Sequence, residues 1–191
     1  MAMNYAILRT AKLKTMGNIG GSLAHSYRMI ETPNADPNLT PKNHHSVATP
    51  EAVKQIIKDR LPEKRRADAV LCIEYLITAS PEWEGWGKSQ EAEFFKRSAQ
   101  WLMDKHGEEN IAGMSIHRDI STPQLVAYVV PIDQKGKLNC KGFLGGRVKL
   151  NQMQTDFANT VADLGLTRGK EGSKAKHTSI KEHYHDINHA R

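Results

Sequence analysis

The chain is 191 residues long, with 39% apolar and 25% charged residues, a size and composition that support one domain with a substantial core and exclude a disordered chain. No apolar run approaches the roughly 20 residues needed to cross a bilayer, and the opening MAMNYAILRTAKLK lacks the apolar stretch and small-residue cleavage site of a secretion signal; a cytoplasmic protein without membrane contact is expected. A formal net charge of +6 suits a polyanionic partner, because Lys and Arg contacts to phosphate release counterions, although many basic domains bind no nucleic acid.

Residues 4–13 carry β-branched and aromatic residues in an extended run that MGNIGGS breaks, which predicts a strand running into a loop. Leu23, Tyr27 and Ile30 sit at helical spacing and predict a short helix over 23–30; residues 31–50, with four prolines, read as a long surface loop. A helix start follows, with Thr49 as N-cap, Pro50 in the first position and Val53, Ile56 and Ile57 on one face, ending near Pro62. The nearly continuous apolar run at 69–78 predicts a buried central strand that turns at Ser80 and Pro81. Residues 88–105 form an amphipathic pattern through Phe94, Phe95, Ala99, Leu102 and Met103, stopped by Gly107. Residues 111–118 and 124–132 flank the turn DISTP and predict a hairpin. A last helix over 147–164 carries Val148, Leu150, Met153, Phe157, Val161 and Leu164, closed by Gly165, and a basic polar tail occupies 167–191. This order predicts an α+β domain, a mainly antiparallel central sheet with helices packed on its faces. Cys72 and Cys140 match no zinc spacing and read as packing residues.

Several residues could carry chemistry. On one helical turn His25 and Arg28 would share a face, an imidazole to attack a phosphate and a guanidinium to neutralise it; a helix-end histidine is also an ordinary surface residue. His117 and Asp119, two apart on a predicted strand, point to one side and could hold a divalent cation, or Asp119 starts the turn and His117 bonds nearby. His44 and His45 in the loop, and His183, His185 and His189 near the carboxyl end, are further metal-ligand candidates or solvated histidines. Trp83, Trp86 and Trp101 could stack on unpaired bases or pack in the core. In the tail, Lys170, Lys174 and Lys176 could track a phosphate backbone.

Five segments together, NIGGSLAHSYR, DAVLCIEYLIT, NIAGMSIHRDISTP, the strand ending VVP and RGKEGSKAKH, in order and spacing over nearly the whole chain, resemble the Mob/Pre plasmid mobilisation and recombination relaxases, of the HUH endonuclease class. The resemblance implies a single relaxase domain over 1–191, either the N-terminal part of a longer protein or a minimal form. It implies binding of a partly single-stranded plasmid origin of transfer and nicking of one strand through a covalent 5′-phosphate–histidine bond. By it, His25 stands at the nucleophile position with Arg28 beside it, other mobilisation or conjugation proteins are partners, and a divalent metal (Mn or Mg) is the cofactor. The family's metal motif, His-x-Asp-Glu-x-x-Pro-His-x-His, is kept at His117, Asp119 and Pro123 but reads Ile120, Gln124 and Val126 at the glutamate and the two strand histidines. Those replacements favour one rival, an origin-binding module or autorepressor without cutting activity; a second rival is a replication-initiator-type endonuclease of the same class, using Tyr27 or Tyr184.

Overall fold

A computed structural model describes residues 3–171. Its elements run β1 (Tyr5–Leu13), α1 (Met16–Ser26), β2 (His44–His45), α2 (Pro50–Arg60), β3 (Cys72–Ala79), α3 (Ser89–His106), β4 (Ile111–His117), β5 (Gln124–Val129), α4 (Cys140–Leu144), α5 (Arg147–Val161) and β6 (Thr167–Arg168), with short 3-10 turns between some of them. The strands form one sheet in the order β2-β4-β5-β3-β1-β6. All neighbours pair antiparallel except β1 and β6, which are parallel. The mainly antiparallel α+β architecture expected from the sequence is therefore present.

Period-2 alternation in the strands and period-3.6 stripes on the helices give the sheet two buried faces. On one, Leu8, Tyr75, Ile77, Leu125 and Val129 pack against Phe94 and Leu102 of α3 and Met153, Phe157 and Val161 of α5. On the other, Cys72, Val126 and Tyr128 meet Ile19 and Leu23 of α1 and Val53 and Ile57 of α2. Both cysteines are free and buried, consistent with packing roles. Trp83 lies in the core with its indole N–H donating to Leu164 O, and the Trp86 N–H donates to Ser80 O, so both belong to packing rather than to an open stacking surface.

α1 corrects one expectation. The stretch MGNIGGS forms its first two turns rather than a loop, and the helix stops at Ser26 instead of reaching residue 30. Thr15 accepts from Asn18 N at 3.0 Å as its N-cap, and Ile19 and Leu23, 0% and 1% exposed, anchor it to the sheet; packing on that scale outweighs three weak helix formers. Three more elements, β2, α4 and β6, fall where no helix or strand was expected; β2 lies in the stretch read as a long surface loop, and β6 takes the first residues of the stretch read as a tail.

Candidate active site

The site lies where the end of α1 meets the β4–β5 hairpin. Tyr27 caps the helix, and Arg28 follows with φ 57, the one non-glycine residue with positive φ among the described residues. Arg28 therefore stands beyond the helix and does not share a helical face with His25, as the sequence spacing had suggested. An L-residue with a bulky side chain adopts this conformation at a cost and holds it when surroundings over-determine it. Here they do: Nε and Nη2 of Arg28 donate to both carboxylate oxygens of Asp119 at 2.8 Å, and Nη1 donates to His25 O at 2.8 Å. The pair is enclosed, with side-chain exposures of 9% and 0%. Thr40 Oγ1 donates to Asp119 as well, at 2.9 Å. Burial pushes the Asp119 carboxyl upward, but the hydrogen bonds from Arg28 and Thr40 outweigh it and hold the group well below the usual carboxylate range.

His117, 1% exposed, closes the other half of the helix end. Its Nε2 lies 2.8 Å from Ser26 O and 3.1 Å from Ser26 Oγ. A carbonyl oxygen only accepts, so Nε2 carries the proton and Nδ1 keeps the lone pair, facing the Gln124 amide at 3.4 Å. Burial, then the Arg28 charge, takes His117 down to about 4, which keeps it neutral at ordinary pH. His117 and Asp119 thus converge on α1 from the hairpin and satisfy, directly and through Arg28, the carbonyls of Ser26 and His25 at the helix end.

His25 itself is solvent-accessible on the outer side of this clamp. Partial burial, then the Arg28 charge, lowers its pKa from 6.5, with Asp119 opposing. Gly21, four residues earlier on the same helix face, has nothing within 4 Å of where a Cβ would stand, and Gly17, eight residues earlier, would meet only Thr15 Oγ1 at 3.6 Å, so the imidazole rises above bare helix backbone.

The 31–50 loop supplies partners that sequence reasoning missed. Asp36 N donates to Asp119 O, Asn43 Oδ1 accepts from Arg118 N, and β2 pairs His44 with Ile116 and His45 with Ser115. His45 stacks on Tyr27 with ring centroids 4.0 Å apart, and its Nδ1 lies 2.6 Å from Ser115 Oγ, while His44 faces solvent. The Tyr27 hydroxyl donates to Val47 O at 2.6 Å and is committed to the fold rather than presented to a substrate. Beneath α1, Ser22 Oγ donates to Glu74 at 2.9 Å and lies 2.9 Å from Tyr128 OH, fixing the helix to the sheet through polar atoms as well as apolar ones. Lys170 lines a cleft at the far edge of the sheet. Lys174, Lys176, His183, Tyr184, His185 and His189 lie outside the described residues.

The residues at the hairpin do not fit a closed divalent-metal site. Among the described residues no group of three or more His, Cys, Asp or Glu could hold an ion. Asp119 is committed to Arg28. His117 spends Nε2 on Ser26, Val126 is part of the core at 3% exposure, and a Gln amide oxygen is a weak ligand for a transition metal.

Fold and site together define an α+β domain that presents one accessible imidazole from a helix clamped against its sheet. Residues 2–185 match the family Mob_Pre, described as plasmid recombination enzyme. A "65 kDa protein" of Zymomonas mobilis is 35% identical over 97% of this chain, and a plasmid recombination enzyme of Streptococcus agalactiae is 33% identical over 94% of it. The chain spans 33% and 39% of those two proteins' lengths. Among solved structures, the MobM relaxase domain, Mn-bound and in complex with 22 nucleotides of oriT DNA from plasmid pMV158, aligns with TM-score 0.81 and 31% identity over 95% of this chain and 99% of that one. The chain belongs to the Mob_Pre family of plasmid recombination enzymes.

Proposed function

We propose that this chain is a plasmid relaxase domain that binds a partly single-stranded origin of transfer and nicks one strand with His25. The observation that carries the reading is the accessible, predominantly neutral imidazole at the end of a helix whose terminal carbonyls are held by the hairpin, in a domain that superposes on a DNA-bound relaxase. A neutral ring nitrogen of His25 attacks the scissile phosphorus; an N–P bond forms as the bond to the 3′ oxygen breaks. The proton of the other ring nitrogen is released and the departing oxygen takes one up, leaving a free 3′ hydroxyl and a 5′ phosphoramidate on the protein. The N–P bond conserves energy for rejoining, so nicking is reversible. Arg28 and His117 act through position: they fix the helix end, and with it the imidazole.

The cofactor class implied is a divalent cation, Mn²⁺ or Mg²⁺, in line with the Mn-bound relative. Near His117, with Gln124 in place of an imidazole and Asp119 ion-paired, such an ion is expected to bind far more weakly than at three histidines. The expected location is the cytoplasm, where plasmid DNA lies; among the described residues no helix is long and apolar enough to cross a membrane. Other mobilisation proteins complete the partner set.

Ile120, Gln124 and Val126 favour a second reading, origin binding without cutting, and one experiment separates the two. Supercoiled plasmid carrying the origin is incubated with the protein across a Mn²⁺ and Mg²⁺ series and resolved on denaturing gels. Nicked circles with a covalent protein–DNA adduct are expected, both absent in His25→Ala while origin binding persists. Binding without adduct at every metal concentration would establish the binding module, and an adduct peptide containing a tyrosine would displace His25.

A further inference from the structure

The positive φ of Arg28 turns the chain sharply away from α1. The turn is a Schellman closure, with Arg28 N donating to His25 O at 3.1 Å and Met29 N donating to Ala24 O at 2.8 Å. In such closures the residue at the place of Met29 frequently packs back on the helix. Here Met29 and the next residue, Ile30, stand 64% and 54% exposed, one turn from the accessible His25. Two large apolar side chains held in solvent by backbone hydrogen bonds mark a contact surface.

Ile30 is also one wall of a pocket of about 460 Å³, whose other apolar walls are Pro33, Ala35 and Pro37. That volume falls within the roughly 300–1,000 Å³ of small-ligand sites. The pocket is preformed: Ala35 N donates to Thr32 O and Leu39 N to Asp36 O, and Asp36 N donates to Asp119 O at 2.7 Å, which ties the loop to the residue that holds Arg28. Arg28 and Thr40 border the pocket as well, but the guanidinium is held by Asp119 and His25 O, and the Thr40 hydroxyl by Asp119. The Thr32 hydroxyl donates to Ile30 O. Glu31 is left, exposed, and among the described residues its carboxylate meets no donor.

A free carboxylate repels a phosphate, so this lining does not suit the DNA backbone. Apolar walls and one acceptor suit a flat ring with an amino group at its edge. Unpaired DNA offers that ring as a base: cytosine carries an exocyclic amine where thymine carries a carbonyl. Because Arg28 borders the pocket and donates to His25 O, the base belongs to a nucleotide close to the one attacked.

We propose, on the reading of the domain as a single-strand origin binder, that this pocket takes one unpaired, amine-bearing base near the scissile phosphate, with Ile30 against the ring and Glu31 accepting from the amine. Contacts to phosphate locate a strand without reading it, whereas this pocket reads one position and so contributes to the choice of the nick.

The test uses the full chain and labelled single strands of about 30 nucleotides, all deoxycytidine or all thymidine, so that every register presents the same base. Affinity is measured by anisotropy at mildly alkaline pH, where deoxycytidine runs stay unpaired. The proteins are the parent, E31Q, I30S and V148S, the last removing a side chain 82% exposed on α5. Matching thermal unfolding of the four confirms the fold. The parent is expected to hold the deoxycytidine strand about threefold or more tighter than the thymidine strand, and E31Q, whose amide also donates to a carbonyl, to bring the two within about twofold. I30S should weaken both strands about fivefold, since half of Ile30 remains to be buried, while V148S matches the parent. Equal affinity of the parent for the two strands, a preference that survives in E31Q, or an I30S protein that behaves as V148S does overturns the base pocket and leaves origin binding intact. A parent that binds neither strand overturns both.

Discussion

At the scale of residues, the site is a chemically divided set in which one imidazole is exposed and another is locked. His25 titrates below its ordinary 6.5, through partial burial and then the Arg28 charge, with Asp119 opposing. Its neutral, nucleophilic form therefore predominates to lower pH than in a free histidine. An NMR titration of the His25 ring is expected to show a midpoint under 6.5, and the nicking rate is expected to rise with pH through that midpoint and level off above it. The Arg28–Asp119 pair makes the opposite demand, since its role is purely one of position. Asp119→Asn leaves a guanidinium enclosed without its counter-charge, and loss of one partner of a buried pair costs roughly 3–5 kcal/mol; chemical denaturation should register a loss of that order. His25 was legible in the sequence as a candidate, while its environment was not. Arg28 and Asp119 are 91 positions apart, His117 acts on a backbone carbonyl that has no sequence signature, and Thr40 comes from a stretch that read as long surface loop, in which His45 stood out only as a metal-ligand candidate and not as the stacking partner of Tyr27.

Among the elements, those with strong periodicity were legible. Thr49 caps α2 and Pro50 opens it as the sequence predicts, and Gly107 with φ 87 ends α3. α1 was misread because local propensity and tertiary packing disagree there: three glycines argue for a turn, and Ile19 and Leu23 bury themselves regardless. Two substitutions separate these contributions. Thr15→Ala removes the hydroxyl that accepts from Asn18 N and is expected to cost about 1 kcal/mol. Gly21→Ala meets nothing within 4 Å and should gain up to about 1 kcal/mol, read by thermal unfolding. α4, of five residues, and the two-residue strands β2 and β6 are too short for any period to show, and the two strands exist only through distant pairing partners.

For the whole molecule, acid is the expected weakness. His106 lies 4% exposed beneath the sheet, with Tyr75 OH 2.6 Å from its Nε2, and its Nδ1 has no hydrogen-bond partner. Burial, then the charge of Lys105, takes it down to about 3. The unfolded chain, with histidine near 6.5, binds the extra proton first, so this contribution to stability is complete above about pH 6.5 and falls as pH drops toward 3. Each unit of that window is worth at most about 1.4 kcal/mol. Denaturant unfolding measured from pH 7 to 4 should show the decline, and His106→Gln, which cannot titrate, should make it shallower, leaving the share that His117, held down to about 4, contributes over the same window.

The register of the β4–β5 hairpin has a practical consequence. His117 pairs with Gln124 and Ser115 with Val126, so positions 117, 124 and 126 share one patch of the sheet whatever side chains they carry. Histidines at 124 and 126 would stand beside His117 on a backbone already held in place by neighbouring strands, at the cost of an imidazole where Val126 now packs. That patch, open to redesign, makes the proposed relaxase domain a starting point for a tool whose strand cutting is switched by the experimenter through a chosen metal salt.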